Sequence, residues 1–366
     1  MKKFLAGVLA VSMIGSASMA FAADTDKITV KVNGEEIITD VAPIMENDRI
    51  LLPMRAIFEK LGCNVAYREM NGAEFVTASH GNKQVVLEIG KNEINVDGEV
   101  KELDVAAKIE NDRTLVPVRA VSEAMDAVVV WNDATNTAEI TTKQGEHAID
   151  SVTDEKVIKA EDGTVLMYIN YVYPIIRNDG NEYIEKINEE YKAYAEEFVS
   201  GAESTADEAK QAFDEMGADN FTPYDFNLSY DVHTDKNGII SVTNYGYYYT
   251  GGAHPNTERE SRTFDINNGK ELVLSDIVKG DADEIHQMVY DAFVTSFEEN
   301  NESFSAEAAS DLDKECDNVK FYLTDNSLVL YFDVYQVDSY AAGYPTVELK
   351  YNEGVFKIDL SESKAK

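Results

Sequence analysis

The sequence predicts an α+β protein of two domains, each mainly antiparallel sheet with packed helices and the first built from a tandem repeat. Three observations carry that prediction. A gapless internal match recurs at an offset of 64 residues in the first half. Asn-Gly and Asp-Gly pairs separate short runs of alternating apolar residues, the signal of type I′ hairpins. In the second half helical periodicities cluster between runs of strands, which argues against alternating βαβ units.

The repeat comes first. Asn47-Asp48-Arg49 recurs as Asn111-Asp112-Arg113, and at the same offset Val32, Gly34, Asp40, Leu51 and Pro53 match Val96, Gly98, Asp104, Leu115 and Pro117. Arg55, Glu59 and Tyr67 match Arg119, Glu123 and Trp131. A match of this length means duplication of one supersecondary unit. Each unit reads as a hairpin, a short helix after its proline, and a second hairpin, because proline suits a helix start where its missing N–H needs no partner. The first helix, Met54 to Leu61, groups Ile57, Phe58 and Leu61 on one side and stops at Gly62. Arg55 and Glu59 stand four apart and pair on its surface, a structural role that Arg119 and Glu123 repeat.

Residues 143–157 are polar and acidic and read as the linker. Strands follow around Val165–Ile176, then a helix over Tyr183–Phe198 with Ile184, Ile187, Tyr191, Tyr194 and Phe198 at helical spacing. A second acidic helix covers Thr205–Met216. Strands resume at Phe226–His233 and Ile239–Tyr249 around the turn Lys236-Asn237-Gly238, and at Thr263–Ile266 and Glu271–Leu274 around Asn267-Asn268-Gly269. An amphipathic helix spans Asp281–Phe297. The final strands are Val319–Thr324, Ser327–Val334, Val347–Tyr351 and Val355–Ile358.

The run from Asn244 to Thr257 is the strongest candidate for recognition. Tyr245, Tyr247, Tyr248 and Tyr249 lead into Thr250-Gly251-Gly252-Ala253-His254-Pro255. Tyrosine offers a rigid apolar surface with a polar tip, the glycine pair permits backbone angles that other residues avoid, and Pro255 stiffens the exit. Alternate tyrosines in a strand also serve a core, which would leave only the turn free.

The first 22 residues carry Lys2 and Lys3, an apolar stretch from Phe4 to Ile14 and an Ala20-Phe21-Ala22 cleavage site, a secretory signal peptide with a retained N-terminal anchor as the alternative. The apolar stretch is short of the roughly 20 residues that a membrane span needs. The expected location is therefore secreted or cell-wall associated, with no membrane span in the mature chain. With 32 basic against 68 acidic residues the formal net charge is −36, which excludes nucleic acid as a partner and steers cationic ones. Cys63 and Cys316 belong to no Cys-x-x-Cys pair and read as two free, inert thiols rather than zinc ligands.

The Asn-Asp-Arg-x-Leu-x-Pro-x-Arg-Ala pattern, present twice, resembles the duplicated copper amine oxidase N-terminal-like domain over residues 27–142. That resemblance implies an antiparallel sheet with helices, serving as an accessory or stalk module of exported bacterial proteins. Copper needs clustered imidazoles, and His80 stands alone in this half, so no metal and no cofactor are expected. The motifs Tyr248 to Pro255, Phe264-Asp265, Leu274-Ser275-Asp276-Ile277, Phe321-Tyr322-Leu323-Thr324 and Tyr340-Ala341-Ala342-Gly343 resemble, over residues 158–360, the RsiV/PdaC-type exported domain of lysozyme-sensing anti-sigma factors. The resemblance implies a lysozyme receptor and nominates Tyr248, Tyr249, Gly251, Gly252, His254 and Pro255 as partner-binding residues.

The expected function is that of an exported, non-enzymatic bacterial envelope protein that binds lysozyme or a related muramidase through its C-terminal domain. Cell-wall glycan (peptidoglycan) is the alternative ligand, and a cell-wall sugar-acting enzyme the alternative class. No catalytic residues are nominated, since the five histidines include no His-x-x-x-His pair and there is no Gly-x-Ser-x-Gly elbow, His-Glu-x-x-His helix or glycine-rich phosphate loop. A glycosidase would need only two carboxylates, which an acidic chain has in abundance. His254 is read as fixing its turn or touching a partner, and Asp265 and Asp276 as turn and cap residues.

Overall fold

The computed structural model describes residues 27–361 apart from 71, 82, 144, 179, 219, 300–305, 338–342 and 352–353. The expected signal segment, residues 1–22, lies outside the described residues, as do Tyr340, Ala341 and Ala342. The architecture is α+β with mostly antiparallel sheets and a few helices.

One repeat unit consists of β1 (Thr29–Val32), β2 (Glu35–Glu36), β3 (Ile44–Glu46), β4 (Arg49–Pro53), α1 (Met54–Lys60), β5 (Asn64–Met70) and β6 (Ala73–His80). β7 (Lys83–Glu88) leads to the second, made of β8 (Glu93–Val96), β9 (Glu99–Glu102), β10 (Lys108–Glu110), β11 (Arg113–Pro117), α2 (Val118–Ala124), β12 (Val128–Asn132) and β13 (Thr137–Thr141). Each element of the second unit begins 64 residues after its counterpart. The units meet at β4 and β11, which pair antiparallel with Leu52 opposite Val116, its own equivalent. Equivalent residues pair in that way only about a local twofold axis. Arg49 then reaches Asp104 at 2.6 Å and Arg113 reaches Asp40 at 2.6 Å, two reciprocal ion pairs that account for the recurrence of these residues.

Around that axis the outer hairpins exchange. β1 and β2 join β12 and β13 in one sheet, while β8 and β9 extend β5 to β7 in another. Asn33 and Gly34 have φ of 51° and 84°, and Asn47 and Asp48 of 47° and 60°; two successive left-handed residues define the type I′ turns that these short hairpins use. Ile57 and Phe58 are fully buried with Leu52, Val116 and Val121 in one shared core.

The second half opens with β14 (Ile149–Lys159) and β15 (Val165–Ile176), crosses by α3 (Glu182–Glu203) and α4 (Ala206–Met216), and continues as β16 (Tyr224–Lys236), β17 (Ile239–Tyr249), β18 (Asn256–Asp265) and β19 (Lys270–Glu271). These six strands lie side by side in chain order. β15 and β16 run parallel, because the helical crossover carries the chain back to the same end, and the other pairs are antiparallel. Ile184, Ile187, Tyr191 and Phe198 of α3 pack on Ile169, Leu228 and Val242 of the sheet. A second core lies under α5 (Leu274–Ile277), α6 (Ala282–Glu299), α7 (Ala306–Glu315) and the sheet of β20 (Lys320–Leu323), β21 (Ser327–Tyr331) and β22 (Thr346–Lys350). There the rings of Phe293 and Phe332 stand 4.7 Å apart.

Three segments differ from expectation. Most of the stretch read as linker, residues 143–157, belongs to β14, which begins at Ile149; as an edge strand it carries Asp150, Asp154 and Lys156, so its composition imitates a connection while its backbone pairs along the length of β15. The helix α7 is too acidic to show a periodic apolar face, and Leu312 is its fully buried residue among those described. The strand expected at Val355–Ile358 is reduced to a single bridge between Phe356 and Val278.

Candidate functional site: a tyrosine-lined cleft between the halves

Strand parity decides what the tyrosine run does. Tyr248 turns toward the helices, with its ring 5.3 Å from Phe198 and 6.0 Å from Phe226, and its hydroxyl donates to Glu258 Oε2 at 2.6 Å. Tyr245, Tyr247 and Tyr249 alternate with it and face the first half of the chain. Burial and the Glu258 bond push the Tyr248 phenol above the ordinary tyrosine range.

The two halves are held together beneath that face. β5 and β6 pack against β15 and β16, and α1 against β14. Arg68 of β5 donates to Asp225 at 2.9 Å, lies 3.6 Å from Glu155 and stacks on Tyr168, with Cζ 3.6 Å from the ring centroid. Ser229 Oγ donates to the Gly81 carbonyl at 2.9 Å, and the rings of His80 and Tyr230 meet at 5.6 Å. The connection is stitched down as well: Glu146 N donates to the Asp235 carbonyl at 2.9 Å, and the Asp235 carboxylate receives His147 N at 2.5 Å and His147 Nδ1 at 2.8 Å.

Between these contacts a cleft of about 680 Å³ remains open. Phe75, Lys83 and Val86 line it from the first half, and Tyr245, Tyr247, Tyr249, Arg259 and Tyr344 from the second. Arg259 stands opposite Tyr245 across the β17–β18 pairing, so the two side chains share a face. Its guanidinium carbon lies 4.3 Å from the Tyr331 centroid, 5.2 Å from Tyr322, 5.5 Å from Tyr344 and 5.7 Å from Tyr245. Burial raises the phenol pKa values of Tyr245, Tyr331 and Tyr344 while Arg259 pulls them down, and the rings remain neutral cation-binding surfaces. Deeper in the same wall His233 stacks on Tyr322 at 3.7 Å, and burial pushes its imidazole down to about 4.

Of the six residues nominated from the sequence, Tyr249 lines the cleft and Tyr248 packs away from it. Gly251, Gly252 and His254 form the exposed turn above, and Pro255 is half-buried at its exit. The glycines have φ of 92° and 98°, a region L side chains rarely adopt. His254 Nδ1 stands 3.0 Å from the Pro255 carbonyl, a bond that fixes the turn. Asp276 caps α5 by accepting from Val273 N at 3.0 Å, and Asp265 accepts from Asn267 N at 3.0 Å, as read from the sequence. Cys63 and Cys316 are free and buried, and burial pushes both thiols up, that of Cys316 to about 12. Among the described residues no group of three or more His, Cys, Asp or Glu stands together as a metal site.

Residues 31–140 match the family model for the copper amine oxidase N-terminal domain. Residues 159–257 match the model described as deacetylase PdaC, and residues 275–352 that for a protein of unknown function, DUF3298. A peptidoglycan-N-acetylmuramic acid deacetylase PdaC of Bacillus subtilis (strain 168) is 29% identical over 176 residues, covering 47% of this chain and 34% of the relative. The matched part of the chain thus spans about a third of that relative's length. Among solved structures, a DUF3298 family member from Bacteroides fragilis NCTC 9343 matches at TM-score 0.42 and 18% identity, over 61% of this chain and 99% of that one. A DUF3298 family protein from Pseudomonas aeruginosa PAO1 matches at TM-score 0.38 and 18% identity, over 59% and 97%. The two-part layout read from the sequence therefore stands: a copper amine oxidase N-terminal domain match fills the first half, and PdaC and DUF3298 matches succeed one another in the second.

Proposed function

We propose that this protein is an exported, non-enzymatic binding protein of the bacterial cell wall, and that it holds wall saccharide in the cleft between its halves. The observation that carries this reading is the tyrosine lining of that cleft. Flat aromatic faces suit the apolar faces of sugar rings, and their hydroxyl tips suit the ring substituents. The volume falls within the roughly 300–1,000 Å³ of small-ligand sites. Of the cleft's acids, Asp225 is already engaged by Arg68, which favours holding a ligand over hydrolysing it. The relative's name supplies the peptidoglycan context; deacetylation is that protein's activity.

A second reading is docking of a lysozyme-type protein on the exposed turn 251–254. The net charge of −36 supports it, because complementary potentials raise the rate of encounter with a cationic partner. Calorimetric titration of the full chain separates the two. With a soluble glycan disaccharide, Tyr247→Ala is expected to abolish the heat while His254→Ala leaves it intact. With lysozyme the expected order reverses, and absence of heat with both ligands overturns both readings.

A further inference from the structure

The cleft wall contains a buried cation, Arg259, that pairs with no carboxylate among the described residues. Arg259 is 9% exposed, yet its Nε has no hydrogen-bond partner and no carboxylate lies within ion-pair distance, among the described residues. Acid is not scarce in a chain with 68 acidic residues against 32 basic ones. The neighbouring cations all have it: Arg262 pairs with Glu271 at 2.7 Å, Lys320 with Asp333 at 2.8 Å and Arg68 with Asp225 at 2.9 Å. The tyrosines around Arg259 engage the charge through their π faces and the Tyr322 hydroxyl takes one hydrogen bond from it, but the in-plane N–H on Nε has no acceptor. Burying a charge without such partners is costly, so the arrangement is suited to an acceptor brought in from outside.

The geometry points to Arg259 as a carboxylate-recognition subsite: the ligand is a carboxylate-bearing wall saccharide whose two oxygens take the in-plane N–H groups while its sugar lies along Tyr247 and Tyr249. This deepens the wall-saccharide reading and rests on it. A planar fork matched to a planar carboxylate is the geometry that distinguishes arginine from lysine. Peptidoglycan offers the carboxylate in two places, the lactyl ether of a peptide-free muramic acid and the C-terminus of a stem peptide.

The test is calorimetric titration of the full chain with four probes: the N-acetylglucosamine–N-acetylmuramic acid disaccharide, the same disaccharide carrying a stem tetrapeptide, the neutral dimer of N-acetylglucosamine, and the free tetrapeptide. Wild type is expected to bind a carboxylate-bearing disaccharide roughly 10- to 100-fold more tightly than the neutral dimer. Which of the two wins identifies the source of the carboxylate. Arg259→Met is expected to lose that preference, binding the acidic and the neutral disaccharide with the same affinity as each other. Arg259→Lys keeps the charge without the fork, is expected to fall between them, and carries the test if the methionine variant fails to fold by circular dichroism. Equal binding of neutral and acidic disaccharides by wild type, or an unchanged preference in a folded Arg259→Met, overturns the carboxylate subsite and leaves the saccharide reading standing. Arg259-dependent binding of the free tetrapeptide with no binding of the neutral dimer overturns the saccharide reading instead. No binding of any probe overturns both.

Discussion

His233 allows a test whose size follows from its burial. The imidazole is stacked on Tyr322 and bonded through Nε2 to Thr243 Oγ1 at 2.8 Å. Burial, the largest influence, holds it down to about 4 from the ordinary 6.5; Asp231 opposes the shift, and Arg259 and Lys143 add to it. Between those two values the unfolded chain binds a proton that the folded chain does not, so stability falls as pH drops from 6.5 toward 4 and levels off below. At pH 4.5 that linkage amounts to about 2.5 kcal/mol, and at pH 7.5 to nearly nothing. His233→Phe keeps the ring stack, removes the titration and loses one hydrogen bond, while Thr243 Oγ1 retains Ser261 Oγ at 2.6 Å. At pH 7.5 the variant is therefore expected to be about 1 kcal/mol less stable than wild type. At pH 4.5 it is expected to be the more stable, by about 1.5 kcal/mol. Urea unfolding at the two pH values measures both numbers, and curves that run parallel without crossing would refute the burial argument.

Three further outcomes are expected. Arg68→Leu leaves Asp225 facing the interface without its cation and Glu155 with Arg55 alone, and loosens the two halves at a cost of roughly 3 kcal/mol, visible as faster proteolytic cleavage within residues 142–148. Gly145→Ala places a Cβ against the Cβ and carboxylate of the buried Asp235, displacing the stitch to Glu146 and His147 and lowering stability by roughly 1–3 kcal/mol in urea titration. The hydrogen bonds that His286 makes with Asp317 and then Asp313 raise its pKa, so its contribution is complete below about pH 6.5 and lost as pH rises through the raised value. His286→Ala is accordingly expected to melt below wild type at pH 5.5 and together with it near pH 9.

The parts of the fold that were legible are those encoded by local chemistry. Pro53 and Pro117 start helices, Gly62 ends one with φ of 77°, and the 64-residue offset appears in every paired element of the repeat. The pairing of the two units across Leu52 and Val116 was not legible, because a repeat tells how often a unit occurs and not how copies face one another. The cleft was half legible. Period-two parity separates Tyr248 from Tyr245, Tyr247 and Tyr249, but it cannot say which side meets helices and which meets another domain. Arg259 was missed because Glu258-Arg259-Glu260 has the composition of a solvated strand, whereas this part of β18 is paired with β17 and β18 is packed upon by β20.

The reciprocal Arg49–Asp104 and Arg113–Asp40 pairs have an evolutionary consequence. They are the contacts of a symmetric dimer written into one polypeptide, so the assembly cannot come apart on dilution. Two separate identical copies would have to change both faces at once. Fusion released each face to drift alone: Gly81 and its equivalent Gly145 still both lie against β16, while Arg68, which clamps the second half, has only Asn132 as its counterpart. The duplicated module could thus acquire a single docking side, and with it one wall of the cleft, without disturbing the symmetry that holds its own core together.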